Sequence, residues 1–228
     1  MFKVRFDFDY EEFKRNASYR EQGTKPFQFT PEERLAITRA CGMLRVMSQR
    51  ATVSDRLRNR LLDEYFHTHD DATLVLNLTL LNDKIQDQSR TVTFVDGTNL
   101  HVAVKVDPQN IDGPQRPMAP MTDEQMAGAG AWVHTLPGTG VPYSLRERHV
   151  GSGYRIILGP AWSRLATHFE RAGTIYHELS HKIVGTNDHA YGERECKLLE
   201  LDRAIKNADN YNYFLQELGV RAQIRWVS

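Results

Sequence analysis

Two histidines four residues apart, His177 and His181, with Glu178 directly after the first, constrain this 228-residue chain more than any other feature. On an α-helix that spacing puts two imidazoles on one face, one turn apart, within reach of a single metal ion. Glu178 points roughly 100° away around the same helix, so it sits beside the metal position without being a ligand. Two neutral nitrogens to hold an ion and one carboxylate to take a proton from water are the parts of a zinc hydrolase.

A catalytic zinc takes three protein ligands and keeps its fourth position open. The third ligand must follow the helix, and Gly185 supplies the means: in the left-handed conformation it stops the helix, and Thr186-Asn187 turn the chain back. Asp188 comes next, seven residues past His181, and its carboxylate is an ordinary zinc ligand. His189 is adjacent and ligates zinc equally well, so position alone leaves both open.

The stretch His177-Glu-Leu-Ser-His181, followed by Gly185-Thr-Asn-Asp-His-Ala-Tyr-Gly192, resembles the aspzincins of the deuterolysin type. Their signature is His-Glu-x-x-His and then Gly-Thr-x-Asp-x-x-Tyr-Gly. Gly185, Thr186, Asp188, Tyr191 and Gly192 fall on the fixed letters, and His189 on a free one. The resemblance therefore implies Asp188 as third ligand. Asn207-Ala-Asp-Asn-Tyr-Asn-Tyr-Phe214 is similar to a downstream segment of the family, and Tyr154 to Gly159 more loosely to the strand before the active-site helix. The likeness covers about 154–214.

From it follow one Zn²⁺ per chain, Glu178 as general base, and Tyr191 as the phenol that holds the oxyanion. In the lysine-selective branch an aspartate and a glutamate three residues later form an acidic pocket for the residue after the scissile bond. Asp209 matches the first acid, and Asn212 stands where the second would be, so the implied preference for Lys or Arg is relaxed. The implied activity is a zinc endopeptidase acting on protein or peptide substrates. Two competing readings are an antagonistic bacterial effector hydrolase cutting cell-wall or other amides, and a zinc-binding interaction module without turnover. An inhibitor or immunity protein is a partner that such an effector implies.

Lysine plus arginine equals aspartate plus glutamate, 29 each, so no net charge points to nucleic acid or a membrane surface. Hydrophobic residues make up 40% of the chain, enough for one domain over 1–228, read as two lobes around a cleft. The start, Met-Phe-Lys-Val-Arg-Phe-Asp-Phe-Asp, is too charged for a secretory apolar core, and no apolar run is long enough for a membrane span. The expectation is a cytoplasmic, bacterial protein, exported if at all by a route independent of a signal peptide. Cys41 and Cys196 are too few to define a disulfide framework, and Asn16 and Asn77 fit the glycosylation pattern by letter only.

Phe2 to Tyr10 and Val220 to Trp226 alternate apolar and polar residues, so the two termini are expected to pair as strands. Thr30-Pro31-Glu32-Glu33 starts a helix with a capping box, its face marked by Ala36, Ala40, Met43 and Met47. Ser54 opens a second helix and Asp71 a third, with Leu74, Leu78, Leu81 and Ile85 inward. His67 and His69 read as a solvated helix end. Residues 91–95 and 101–106 read as a hairpin, followed by a proline loop to Pro120 and strands at 131–135 and 154–158. The strand at 131–135 is the candidate edge for substrate pairing, and His134 and His149 are rim residues. Arg171-Ala172-Gly173 is expected to break a short helix before the active-site one, Cys196 to Ile205 to be helical, and Gly219 to end the last helix. Helices, then a small sheet, then helices is an α+β order, of the zincin-like kind.

Overall fold

The computed structural model describes residues 2–6, 29–96, 104–105, 116–117, 131–132 and 154–225. Expectations that fall on Phe8, Tyr10, Asn16, His134, His149 and Trp226 lie outside those residues. The chain forms two compact units, one of residues 1–2, 35–89 and 165–228, the other of 3–34 and 90–164. Helices dominate the first and strands the second, which is the α+β class.

The strand unit holds a four-stranded sheet in the order β1 (Lys3–Arg5), β2 (Thr91–Asp96), β6 (Tyr154–Leu158), β5 (Ala131–Trp132). β2 runs parallel to both β1 and β6, while β5 is antiparallel to β6 and forms one edge. Among the described residues the expected hairpin is not formed. β3 (Val104–Lys105) pairs with β4 (Arg116–Pro117), because both sides of β2 are taken by long-range parallel partners. Val92 and Phe94 of β2 and Ile156 of β6 are wholly buried, as central strands require. Among the described residues the termini do not pair either. β1 pairs with β2, and Val220 and Arg221 are the end of a helix.

α1 (Pro31–Thr52) starts as the capping box predicts: Thr30 N–H donates to Glu33 Oε2 at 2.8 Å and Glu33 N–H to Thr30 Oγ1 at 3.2 Å. α2 (Arg56–Phe66) is capped by Asp55, one residue past Ser54, and α3 (Ala72–Gln86) by Asp71. Leu74, Leu78, Leu81 and Ile85 are buried. Asn77 lies mid-helix and donates to Tyr211 Oη at 2.9 Å, so its amide is engaged within the fold. His67 ends α2 in the left-handed conformation, and its ring meets Leu199 O at 2.8 Å. After the single turn α4 (Pro160–Ser163) comes α5 (His168–Ile183), opened by a Thr167–Glu170 capping box and unbroken at Gly173. Residues 196–205 are not one helix but part of two separate turns, α6 (Glu193–Cys196) and α7 (Leu201–Ala204).

The last helix, α8 (Ala208–Arg221), packs against both α5 and α2. Phe66 of α2 meets Tyr211 and Phe214 edge-on, at 5.0 and 6.0 Å between ring centres. Against α5 the approach is closer than side chains allow. A Cβ on Gly173 would lie 2.3 Å from Asn212 Oδ1, and one on Gly219 2.7 Å from the Phe169 ring. These two residues are contact points of an antiparallel pair, which explains why neither breaks its helix.

Candidate metal centre

α5 carries the site at its C-terminal end, where Tyr176, Leu179 and Ile183 anchor the helix inward. Val184 and Gly185 N–H both donate to Ser180 O at 3.0 Å, and Gly185 takes φ 75° as the turn demands. The chain then runs back beside α8. Asn187 N–H donates to Lys206 O at 2.7 Å and Ala208 N–H to Asn187 O at 2.9 Å, a short parallel bridge. Gly192, at φ 87°, turns it into α6.

This path brings three ligand atoms together. His177 Nε2 and His181 Nε2 are 3.1 Å apart, and Asp188 Oδ1 lies 3.2 Å from the first and 3.3 Å from the second. Ligands held tetrahedrally at zinc's ordinary bond lengths are separated by about 3.3 Å. Among the described residues this is the one such group of histidine, cysteine and carboxylate atoms.

The other imidazole nitrogens settle which lone pairs face inward. His177 Nδ1–H donates to Asp209 Oδ1 at 2.8 Å, and His181 Nδ1–H to Thr186 O at 2.9 Å, leaving both Nε2 atoms to the ligand triangle. Ser180 Oγ braces the same turn, donating to the His177 carbonyl and meeting Thr186 Oγ1, each at 2.7 Å. The donor set, two imidazoles fixed in one tautomer and a carboxylate, suits Zn²⁺.

Glu178 is 3% exposed, with Oε1 3.9 Å from His177 Nε2. Burial pushes its carboxyl upward against the pull of the two imidazoles. For His177 burial favours the neutral ring, but hydrogen bonds to Asp188 and Asp209 prevail and raise it to about 10. A proton there stands where a cation would. Asp188 shows the counterpart: burial opposes its charge, and the two imidazoles hold it well below the carboxylate range. Tyr191 is 66% exposed, and desolvation together with the Asp188 carboxylate raises its phenol.

His189 points no ligand into the triangle; its backbone N–H is bonded to Asn207 Oδ1 at 2.7 Å. Asp209 and Asn212, expected at a substrate pocket, lie on α8 on the Nδ1 side of His177. Asp209 is 7% exposed behind His177, and it also accepts from Gly192 N–H at 3.2 Å and Asn212 Nδ2 at 3.1 Å. Asn212 turns its oxygen to Gln216 Nε2 at 2.6 Å, over Gly173. Ser180, Asn207 and Asn210 are supports that residue-by-residue reading missed. The signal was there as three asparagines, at 207, 210 and 212, clustered at the start of a helix whose first turns are buried.

Residues 155–216 match the aspzincin family model, described as lysine-specific metallo-endopeptidase. Over these residues the chain is similar to the aspzincins. The matched segment runs from β6 into α8 and holds every residue of the triangle with its Asp209 support. It is 44% identical over 66 residues to a peptidyl-Lys metalloendopeptidase of Armillaria mellea, covering 26% of this chain and 19% of that protein. An extracellular protease of Aeromonas hydrophila is 45% identical over 70 residues, 28% of this chain and 20% of that one. The chain thus spans about a fifth of the curated relatives it matches. In fold, the chain is similar to a zinc peptidase from Grifola frondosa, with a TM-score of 0.55 at 19% identity over 85% of this chain and 99% of the other.

Proposed function

We propose that the chain is a zinc-dependent endopeptidase acting on protein substrates, with a relaxed preference for lysine or arginine after the scissile bond. The observation that carries this reading is the ligand triangle, with 3.1 to 3.3 Å edges, beside a buried carboxylate. The similarity to the Armillaria metalloendopeptidase and the Aeromonas extracellular protease supports it. A zinc ion bound there supplies a Lewis acid that acidifies water and polarises a carbonyl.

The chain's own residues do the rest. Glu178, buried beside the ligand triangle, takes the proton of the attacking water and passes it to the leaving amine. Tyr191 offers its phenol O–H to the oxygen on which charge develops. Asp209 holds His177 by Nδ1 and so keeps Nε2 turned inward. Its carboxylate charge favours a basic side chain nearby, but three hydrogen bonds from the chain already engage it. A basic group would therefore be drawn by the field of Asp209 without pairing to it, which relaxes the preference.

Digestion of a denatured proteome by the zinc-loaded protein, with cleavage sites mapped, tests this. The expected outcome is chelator-sensitive internal cleavage with modest enrichment of Lys and Arg after the cut. A folded, zinc-loaded protein inert on every denatured substrate would overturn the proposal, and a parallel digestion of purified cell wall would then test the amide alternative. Cleavage without basic enrichment would remove the preference alone.

A further inference from the structure

We propose that Asn207 is the positioning residue that holds the Asp188 loop in its ligating conformation before any metal arrives, an inference that rests on the reading of Asp188 as a zinc ligand. Asn207 has no exposed surface and precedes the first residue of α8, yet its side chain makes no capping bond to that helix. It reaches across to the loop instead. Oδ1 accepts from His189 N–H at 2.7 Å and from Ala190 N–H at 3.1 Å, and Nδ2 donates to Ala190 O at 3.1 Å. Nδ2 also donates to Asn210 Oδ1 at 2.7 Å, and Asn210 is tied in turn to Tyr65 O and Cys196 O.

One amide thus satisfies three backbone groups in the two residues after Asp188, while the bridge from Asn187 to Lys206 and Ala208 holds the residue before it. Asp188 is fixed from both sides. Its own side chain is about a third exposed, so burial does not lock it. A loop ordered in advance binds metal more tightly because its ordering cost does not fall on the binding step. Groups hydrogen-bonded directly to a metal ligand typically contribute tenfold to hundredfold in affinity, and Asn207, acting through the backbone beside Asp188, is expected near the lower end of that range.

Hydrogen exchange on the zinc-free protein tests the idea without mutation: the His189 and Ala190 amides should stay protected after the metal is removed. Free exchange of both would show that the metal, not Asn207, orders the loop, and would overturn the proposal. Zinc affinity by chelator competition, with the d–d spectrum of the cobalt form, gives a second arm. Asn207→Ala should bind zinc about tenfold more weakly, with a cobalt spectrum that departs from that of the parent. Asn207→Asp, which keeps the oxygen acceptor, should recover part of the loss. Asn210→Ala removes an equally buried amide from the same cluster and should lower the stability of the zinc-free protein with a smaller loss of affinity. Parental zinc affinity in Asn207→Ala, or equal loss in the Asn207→Ala and Asn210→Ala variants, would reduce Asn207 to a packing residue. If the parent protein itself binds no zinc, it is the reading of the metal centre that fails.

Discussion

The loop from Gly185 to Gly192 and the crossing of α5 with α8 both depend on glycine, for different reasons. In the loop the glycines supply positive φ, 75° and 87°, and a Cβ on Gly192 would have nothing within 4 Å. At the crossing both glycines are ordinary helical residues, and what matters is the space a side chain would fill, against Asn212 at one and Phe169 at the other. One region sets where ligand atoms go, and the other sets how closely α8 approaches the helix that carries them. His177 and Asp209 are where the two meet, bonded at 2.8 Å. The lesson is a division of labour: chemistry should fail from the loop and its helix end, stability from the crossing.

The largest effects should separate these roles. Glu178→Gln should keep one zinc per chain and lose about a hundredfold to ten-thousandfold in kcat, since it removes the base and leaves the ligands. Asp188→Ala should lose zinc by metal analysis while His189→Ala keeps it. The reverse result would misplace the third ligand. Tyr191→Phe should cost about a hundredfold in kcat with KM little changed, without moving the unfolding midpoint. A change confined to KM would make Tyr191 a binding residue.

At the crossing, Gly173→Ala should destabilise by about 1–3 kcal/mol in urea unfolding, although alanine is the better helix former by about 1 kcal/mol. A more stable variant would show that the two helices can part without loss, and would break the comparison. Proton linkage measures how the two regions are joined. His177, raised to about 10 between Asp188 and Asp209, holds a proton at neutral pH that a metal must displace. Zinc affinity should thus rise up to about tenfold per pH unit from 7 toward 9, with a proton released to buffer in calorimetry. In the zinc-free protein the same raised pKa contributes stability that is full below the ring's unfolded value of about 6.5 and is lost as pH rises through about 10. The smallest effect concerns Tyr176, wholly buried beside His177, whose hydroxyl has no hydrogen-bond partner among the described residues. Tyr176→Phe removes a polar group without a bond and should leave stability unchanged or raise it by up to about 1 kcal/mol. A clear loss by calorimetry would mean that the hydroxyl is satisfied.

What the sequence determined by itself was local. Histidines one turn apart, a glycine able to end the helix and a carboxylate just beyond it fix a metal-binding geometry within twelve residues, and the structure closes it with 3.1 to 3.3 Å edges. The caps at Thr30 and Asp71 and the leucine stripe of α3 were legible for the same reason, because their partners lie within a turn or two of chain. Tertiary structure decided whatever depended on a distant partner. Val220 and Arg221 read as strand but finish a helix, since α8 continues past a Gly219 that packs under Phe169. β2 read as half of a hairpin but pairs in parallel with strands about sixty and ninety residues away. Asp209 read as part of a pocket, yet its position behind His177 follows from the antiparallel register of α5 and α8. That register is set by two glycines whose meaning is the shape of the surface opposite, which no spacing along the chain encodes.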